Sequence, residues 1–246
     1  MLKSGFITFA TMGQKKLLRF SQIKEFPNVF EYPKELAGTW KNVFGNKNPI
    51  LLELACGRGE YTIGLAQQFP EHNFIGVDVK GNRMYMGAKK AMEFPLKNVN
   101  FLRTQIEMLP DYFSEEEVDE MWITFPDPQL RTSRAKKRLT HPRFLRLYKK
   151  VLKQQGIIHL KTDSPDLYQF TLKVIKMYNL ILLESCSDVY GQTVVDERLK
   201  IKTHYENLDI AGSNKIFYLK FSLPVEIIDK DDELQLLLKE TEHTTD

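Results

Sequence analysis

From residue 50 onward the chain alternates short apolar runs with stretches of helical spacing, and this alternation constrains the fold more than any other feature. Residues 50–55, 73–79, 99–103, 121–125 and 157–161 read as strands, because each is short, apolar or β-branched, and bounded by turn residues. Between them, 61–69, 82–94, 142–153 and 165–178 carry apolar residues at helical spacing. Pro142 opens one of these helices, where a missing N–H costs nothing, and Gly156 is read as the glycine that ends it. Strand–helix alternation calls for a mostly parallel sheet with helices on both faces. Two late strands, 180–185 and 216–222, have no clear helix between them and so predict an antiparallel edge. The expected fold is α/β and Rossmann-like, with seven strands.

The 246 residues suffice for one such domain with extensions. Residues 1–48 are expected to form a basic, partly flexible N-terminal extension with a short helix over 33–44. Residues 49–224 form the main domain, and 225–246 an acidic tail whose Leu234, Leu236, Leu237 and Leu238 suggest a last helix. Cys56 and Cys186 make no disulfide framework and no zinc pair, so reduced thiols and no metal are expected. No apolar run approaches a membrane span and no leader-like segment follows the N-terminal lysines, so the expected compartment is the cytoplasm.

Ligands of such sheets bind beyond the carboxyl ends of the strands. The first strand–turn–helix runs Leu52-Glu53-Leu54-Ala55-Cys56-Gly57-Arg58-Gly59-Glu60. Gly57 and Gly59 permit a sharp turn and close approach to a ligand. The third glycine of a dinucleotide fingerprint is missing, and Glu60 at the helix start would repel a pyrophosphate. Asp78 ends the second strand, where a carboxylate can accept from ribose hydroxyls. Glu53, just inside the first strand, is placed to meet a ligand ammonium. The combination fits a cationic nucleoside better than a dinucleotide.

The fourth strand leads into Phe125-Pro126-Asp127-Pro128. Two prolines restrict the backbone around Asp127 and remove the neighbouring N–H donors. Ten Lys and Arg then fall between Arg131 and Lys153 with no Asp or Glu, leaving 25 basic against 32 acidic residues elsewhere. A basic block on an otherwise acidic chain predicts a docking surface for a polyanion.

The glycine turn and its two acids resemble the donor site of class I S-adenosylmethionine-dependent methyltransferases. Phe125-Pro126-Asp127-Pro128 with the basic loop after it, Lys137-Arg138-Leu139, Lys161-Thr162-Asp163 and Thr203-His204-Tyr205-Glu206 together resemble the bacterial tRNA (guanine-N7)-methyltransferase family, in order and spacing, over residues 50–222. The resemblance implies S-adenosylmethionine as cofactor, seated on Glu53, Gly57, Gly59 and Asp78, with Thr104 and Gln105 beside the adenine and Asp127 at its reactive end. It implies tRNA as partner, its guanine at position 46 as target, and Asp127 as the catalytic or guanine-orienting acid. Arg131, Asp163, Thr203, His204, Tyr205 and Glu206 would contact the substrate. The chain departs from the family pattern at Ala55, usually glycine, at Gln129, usually Trp, and at Ser133-Arg134, usually Arg-His. The alternative is a class I methyltransferase of another RNA or a small molecule.

Overall fold

The structure is a computed structural model that describes residues 14, 16–204, 206–208, 212 and 215–243. Its centre is an eight-stranded sheet with strand order β1-β4-β3-β2-β5-β6-β8-β7. The strands are β1 (Val29–Glu31), β2 (Ile50–Leu54), β3 (Asn73–Asp78), β4 (Val99–Arg103), β5 (Val118–Thr124), β6 (Leu152–Thr162), β7 (Ile181–Cys186) and β8 (Phe217–Ser222). The first six run parallel, while β8 is antiparallel to both β6 and β7. The antiparallel edge is therefore present. The eighth strand is β1, which lies within the expected N-terminal extension; its three residues are too few to show a period.

Every residue of β2 and β3 is buried, as continuous apolar runs require when both faces are covered. On one face Leu52, Leu54, Ile75 and Ile123 pack under α1 (Trp40–Phe44), α4 (Pro142–Lys149), α5 (Pro165–Met177) and α6 (Asp231–His243). On the other, Leu51, Phe74, Phe101 and Trp122 pack under α2 (Glu60–Gln68) and α3 (Gly81–Glu93). Leu51 and Leu52 point to opposite faces, as the two-residue period of a strand demands.

The strands expected over 121–125 and 157–161 run instead over Val118–Thr124 and Leu152–Thr162, and two helix boundaries also differ from expectation. The helix expected over 33–44 is confined to Trp40–Phe44. Glu35 and Gly38 have left-handed backbones, and the carboxylate of Glu117 takes the N–H of Gly38 at 2.8 Å and of Trp40 at 3.2 Å, so this segment is held by a side chain rather than a helical ladder. The helix from Pro142 stops at Lys149, and Gly156 lies inside β6 rather than closing a helix. The residue there with a left-handed backbone is Gln155, next to a slip in the β5–β6 register. A Cβ on Gly156 would lie 2.5 Å from the Leu152 side chain, so this glycine permits a tight fold-back within the strand.

The chain crosses from β4 to β5 by stepping back over β3 and β2, so the order reverses between β2 and β5. That reversal is where an open parallel sheet presents a crevice.

Candidate active site

A cleft of about 750 Å³ opens at this reversal. It is lined by the residues that follow β2 (Ala55 to Arg58), the end of β3 (Asp78 to Lys80), the turn after β5 (Phe125 to Pro128), the start of α5 (Asp163 to Asp166) and Thr203. Its size falls within the usual range for a small-molecule pocket.

The donor side is cross-braced. Asp78 is 8% exposed, and its two oxygens accept the N–H groups of Gly57 at 2.9 Å and Lys80 at 2.7 Å. One carboxylate thus pins the glycine turn to the start of α3. Gly57 and Gly59 both have left-handed backbones, as expected. Gly59 serves packing as well as turning: a Cβ there would lie 2.5 Å from the ring of Phe101. Ala55, where the family has glycine, also adopts φ 57°, a conformation that costs an L-residue about 1 kcal/mol.

Glu53 is 3% exposed. It accepts from the Thr62 N–H at 2.8 Å, from the Thr62 hydroxyl, and from the Thr124 hydroxyl at 2.6 Å. Burial pushes its carboxyl up to about 7, and the threonine bonds oppose that shift only in part. Thr62 and Thr124 were not singled out from sequence; neither sits in a motif, and only the sheet register brings them to Glu53.

Opposite the donor side stands the turn after β5. The Phe125 N–H donates to the Lys161 carbonyl at 2.8 Å, and Phe125 has φ 46°. Ala55 and Phe125, each the first residue beyond its strand, are thus both left-handed and both line the cleft, the clustering expected where backbone strain shapes a site. Asp127 is exposed; one of its oxygens accepts from the Gln129 N–H at 3.0 Å. Arg138, 5% exposed, donates to the carbonyls of Pro128, Gln129 and Leu130 at 3.1–3.2 Å, and its guanidinium lies 4.4 Å from the Phe170 ring centroid. It braces the Asp127 turn from beneath.

Of the expected site residues, Glu53, Gly57, Asp78, Asp127, Asp163 and Thr203 line the cleft. Gly59 lies between two lining residues, Arg58 and Glu60, without lining the cleft itself, and Thr104, Gln105, Arg131, His204 and Glu206 are outside it. Thr104 is fully buried, and its hydroxyl has no partner among the described residues, at the end of β4 beside Asp78. Gln105 is exposed. His204 gives its N–H to Glu60 at 2.9 Å. Glu206 turns inward to Lys161 at 3.0 Å and to the Tyr190 hydroxyl. Tyr205 lies outside the described residues. Ser164, which lines the cleft, was also missed as a site residue, although Ser164-Pro165 carries a helix-start signature and caps α5 through the Leu167 N–H.

The basic block divides in two. Arg131, Arg134, Lys136 and Lys137 are exposed on the 3-10 turn beside the cleft and carry no ion pair among the described residues. Arg143 pairs with Glu107, Arg146 with Asp231 and Lys153 with Asp119, while Lys149 donates to the Pro224 carbonyl. The expected ten-residue docking surface therefore shrinks, because most of its later members are engaged by partners distant in sequence.

The lining holds Glu53, Glu60, Asp78, Asp127, Asp163 and Asp166 against Arg58, Lys80 and Arg83. An acidic crevice of this kind suits a cationic ligand and opposes a pyrophosphate. The residues present therefore fit S-adenosylmethionine: carboxylates for a cation and a ribose, and a turn whose backbone can approach closely.

A family described as "Putative methyltransferase" matches residues 47–219. The tRNA (guanine-N(7)-)-methyltransferase of Bacteroides thetaiotaomicron is 43% identical, with 92% of this chain and 93% of that protein covered. The enzyme of the same name from Porphyromonas gingivalis is 48% identical, over 82% and 86%. Among solved structures, a 16S rRNA methyltransferase, KamB, superposes with a TM-score of 0.59 at 16% identity, over 78% of this chain and 96% of that one, a likeness of fold. On the relatives and the cleft together, the chain belongs to the tRNA (guanine-N7)-methyltransferase family, and its cofactor is S-adenosylmethionine.

Proposed function

We propose that this protein transfers a methyl group to N7 of a guanine in tRNA, at position 46 of the variable loop. The observation that carries the reading is the cleft itself: the Asp78-pinned glycine turn and the Asp127 turn form its two walls, and four exposed cations stand beside the second wall. With tRNA as substrate, the enzyme works in the cytoplasm.

When bound, S-adenosylmethionine supplies an electrophilic methyl on a sulfonium sulfur. Guanine N7 has an in-plane lone pair and no proton, so no residue needs to act as a strong base. The chain's task is to hold the base in line, which can contribute several kcal/mol. Asp78 retains lone pairs for the ribose hydroxyls beyond the two N–H groups it accepts. Asp127 accepts from the guanine N1–H and amino edge and favours the positive charge that appears on the base. Asp163 and Thr203 form the wall around that base. Arg131, Arg134, Lys136 and Lys137 hold RNA phosphates, which orient the substrate without selecting sequence.

The test is incubation with methyl-labelled donor and unmodified tRNA, followed by nucleoside analysis. Label in 7-methylguanosine, abolished when the guanine at position 46 is replaced, is the expected result. Label in another nucleoside overturns the reaction, and persistence of label after that replacement overturns the position.

A further inference from the structure

Lys161 is a charged side chain with no exposure to solvent. Burying an ammonium is costly unless every proton finds an acceptor. Here the three protons meet the carbonyl of Leu199 at 2.8 Å, the carbonyl of Ile201 at 3.0 Å and the carboxylate of Glu206 at 3.0 Å. The rings of Tyr61, Phe125 and Tyr190 surround the amine at 5.5–5.7 Å. All three acceptors belong to one segment, residues 196–206, whose described residues take part in no strand pairing. That segment carries Thr203 into the cleft.

The main chain of the same lysine serves the Asp127 turn. Its carbonyl takes the Phe125 N–H, the first bond of the Asp127 turn, and Asp163 follows two residues later. One residue thus ties together the Asp127 turn, Asp163 and the Thr203 segment. Other contacts assist: Tyr61 donates to the Arg198 carbonyl at 2.5 Å, and a Cβ on Gly64 would lie 2.7 Å from Ile201. Glu60 takes the His204 N–H at 2.9 Å from the donor side, while Lys161 joins the Asp127 turn to the Thr203 segment within the substrate wall.

We propose that Lys161 is a positioning residue for methyl transfer: its amine clamps the carbonyls of Leu199 and Ile201 and the Glu206 carboxylate, so that Thr203 is held against the cleft facing Asp127. Glu206 then acts through this clamp and not as an acid presented to the base. The inference rests on the tRNA methyltransferase reading.

The test is Lys161→Met combined with Glu206→Gln, which removes the clamp without leaving a buried carboxylate unpaired. Hydrogen–deuterium exchange of amides 196–204, S-adenosylhomocysteine binding and steady-state kinetics with tRNA are measured on full-length protein. The expected result is faster exchange confined to 196–204, donor-product affinity within about threefold of wild type, and a kcat about 100-fold lower at saturating tRNA, the penalty of a displacement near 1 Å. Unchanged exchange, or exchange that rises equally across β2 and β3 with loss of donor-product binding, overturns the proposal. If the double variant does not fold, Glu206→Gln alone keeps both carbonyl bonds. It should still accelerate exchange over 196–204 and lower kcat several-fold, and unchanged values there overturn the clamp. The exchange readout is independent of activity, so a wild-type enzyme that makes no 7-methylguanosine sinks the function and leaves the clamp to be judged by itself.

Discussion

The two walls of the cleft are built by different means. The donor wall, from Glu53 to Glu60 with Asp78, is assembled from neighbouring parallel strands and closed by its own hydrogen bonds: Asp78 to Gly57, and Glu53 to Thr62. The substrate wall draws on the turn after β5, the start of α5, a 3-10 turn and the segment 196–206, and side chains hold it from beneath. Arg138 supports the carbonyls of the Asp127 turn, and Lys161 those of the Thr203 segment. A wall braced by adjacent strands is set once the sheet forms. A wall braced by buried cations depends on long-range contacts, so a single substitution can shift it while the donor side stays in place.

The sharpest way to break this comparison is to substitute one carboxylate on each wall. Asp127→Ala should lower kcat at saturating tRNA by about 100- to 1,000-fold, the usual loss for a group that favours charge developing in the transition state, with donor affinity unchanged. Asp78→Asn places an amide against two backbone N–H donors. Loss of one charge-assisted hydrogen bond should raise the donor KM by about 10- to 100-fold and leave the tRNA KM nearly unaltered. If both variants move the same kinetic constant, the division into donor and substrate walls is wrong.

A smaller effect is expected on the outer part of the substrate wall. Replacing Arg134, Lys136 and Lys137 together with Ala should raise the tRNA KM about tenfold and flatten its logarithmic dependence on salt by about 2. Titration with donor at the same salt concentrations should show no change. A salt dependence equal to that of wild type would remove this turn from the RNA path.

The donor wall was the more legible of the two, and the reason is local. The glycine turn, Glu53 and Asp78 lie within one strand–helix–strand unit, so spacing along the chain is nearly spacing in the fold. β4 was bounded correctly at Val99–Arg103 because turn residues flank an apolar run. The charges of the substrate side could not be apportioned from sequence. Arg143 is neutralised by Glu107, Arg146 by Asp231 and Lys153 by Asp119, partners 36, 85 and 34 residues away. Lys161 and Glu206 could be matched to motifs one at a time, but their contact spans 45 residues. The end of the helix at Lys149 was missed because Gly156 offered an equally good stop signal; pairing of Leu152 with Val118 decided the matter.

Glu53 sharpens the comparison through pH. Its carboxyl is raised from 4.5 to about 7 by burial. Between those values the unfolded chain is ionised at this position while the folded protein holds the proton. The group's stabilising contribution is therefore complete below pH 4.5 and is lost as pH rises through 7, with a slope of at most about 1.4 kcal/mol per pH unit. Glu53→Gln should remove that component from a series of thermal melts between pH 5 and 8. A cationic donor favours the ionised form, so its affinity should rise with pH through 7 in the wild type and stay flat in Glu53→Gln. A flat wild-type profile would place Glu53 out of electrostatic reach of the donor.

The smallest effects test how the basic block was divided. Arg143 and Lys153 are 42% and 44% exposed, and each already holds a carboxylate. Exposed pairs of this kind contribute about 1 kcal/mol or less. Arg143→Ala with Lys153→Ala should accordingly lower stability by no more than about 2 kcal/mol in total and leave the tRNA KM within twofold of wild type. Charge count alone makes the opposite forecast, since these residues belong to the same uninterrupted run as Arg134 and Lys137. A tRNA KM that rose as far here as in the Arg134, Lys136 and Lys137 variant would mean that RNA pulls Arg143 and Lys153 away from Glu107 and Asp119. The docking surface would then extend along α4 to the start of β6, and the separation of the block into a gripping turn and a self-paired helix would fail.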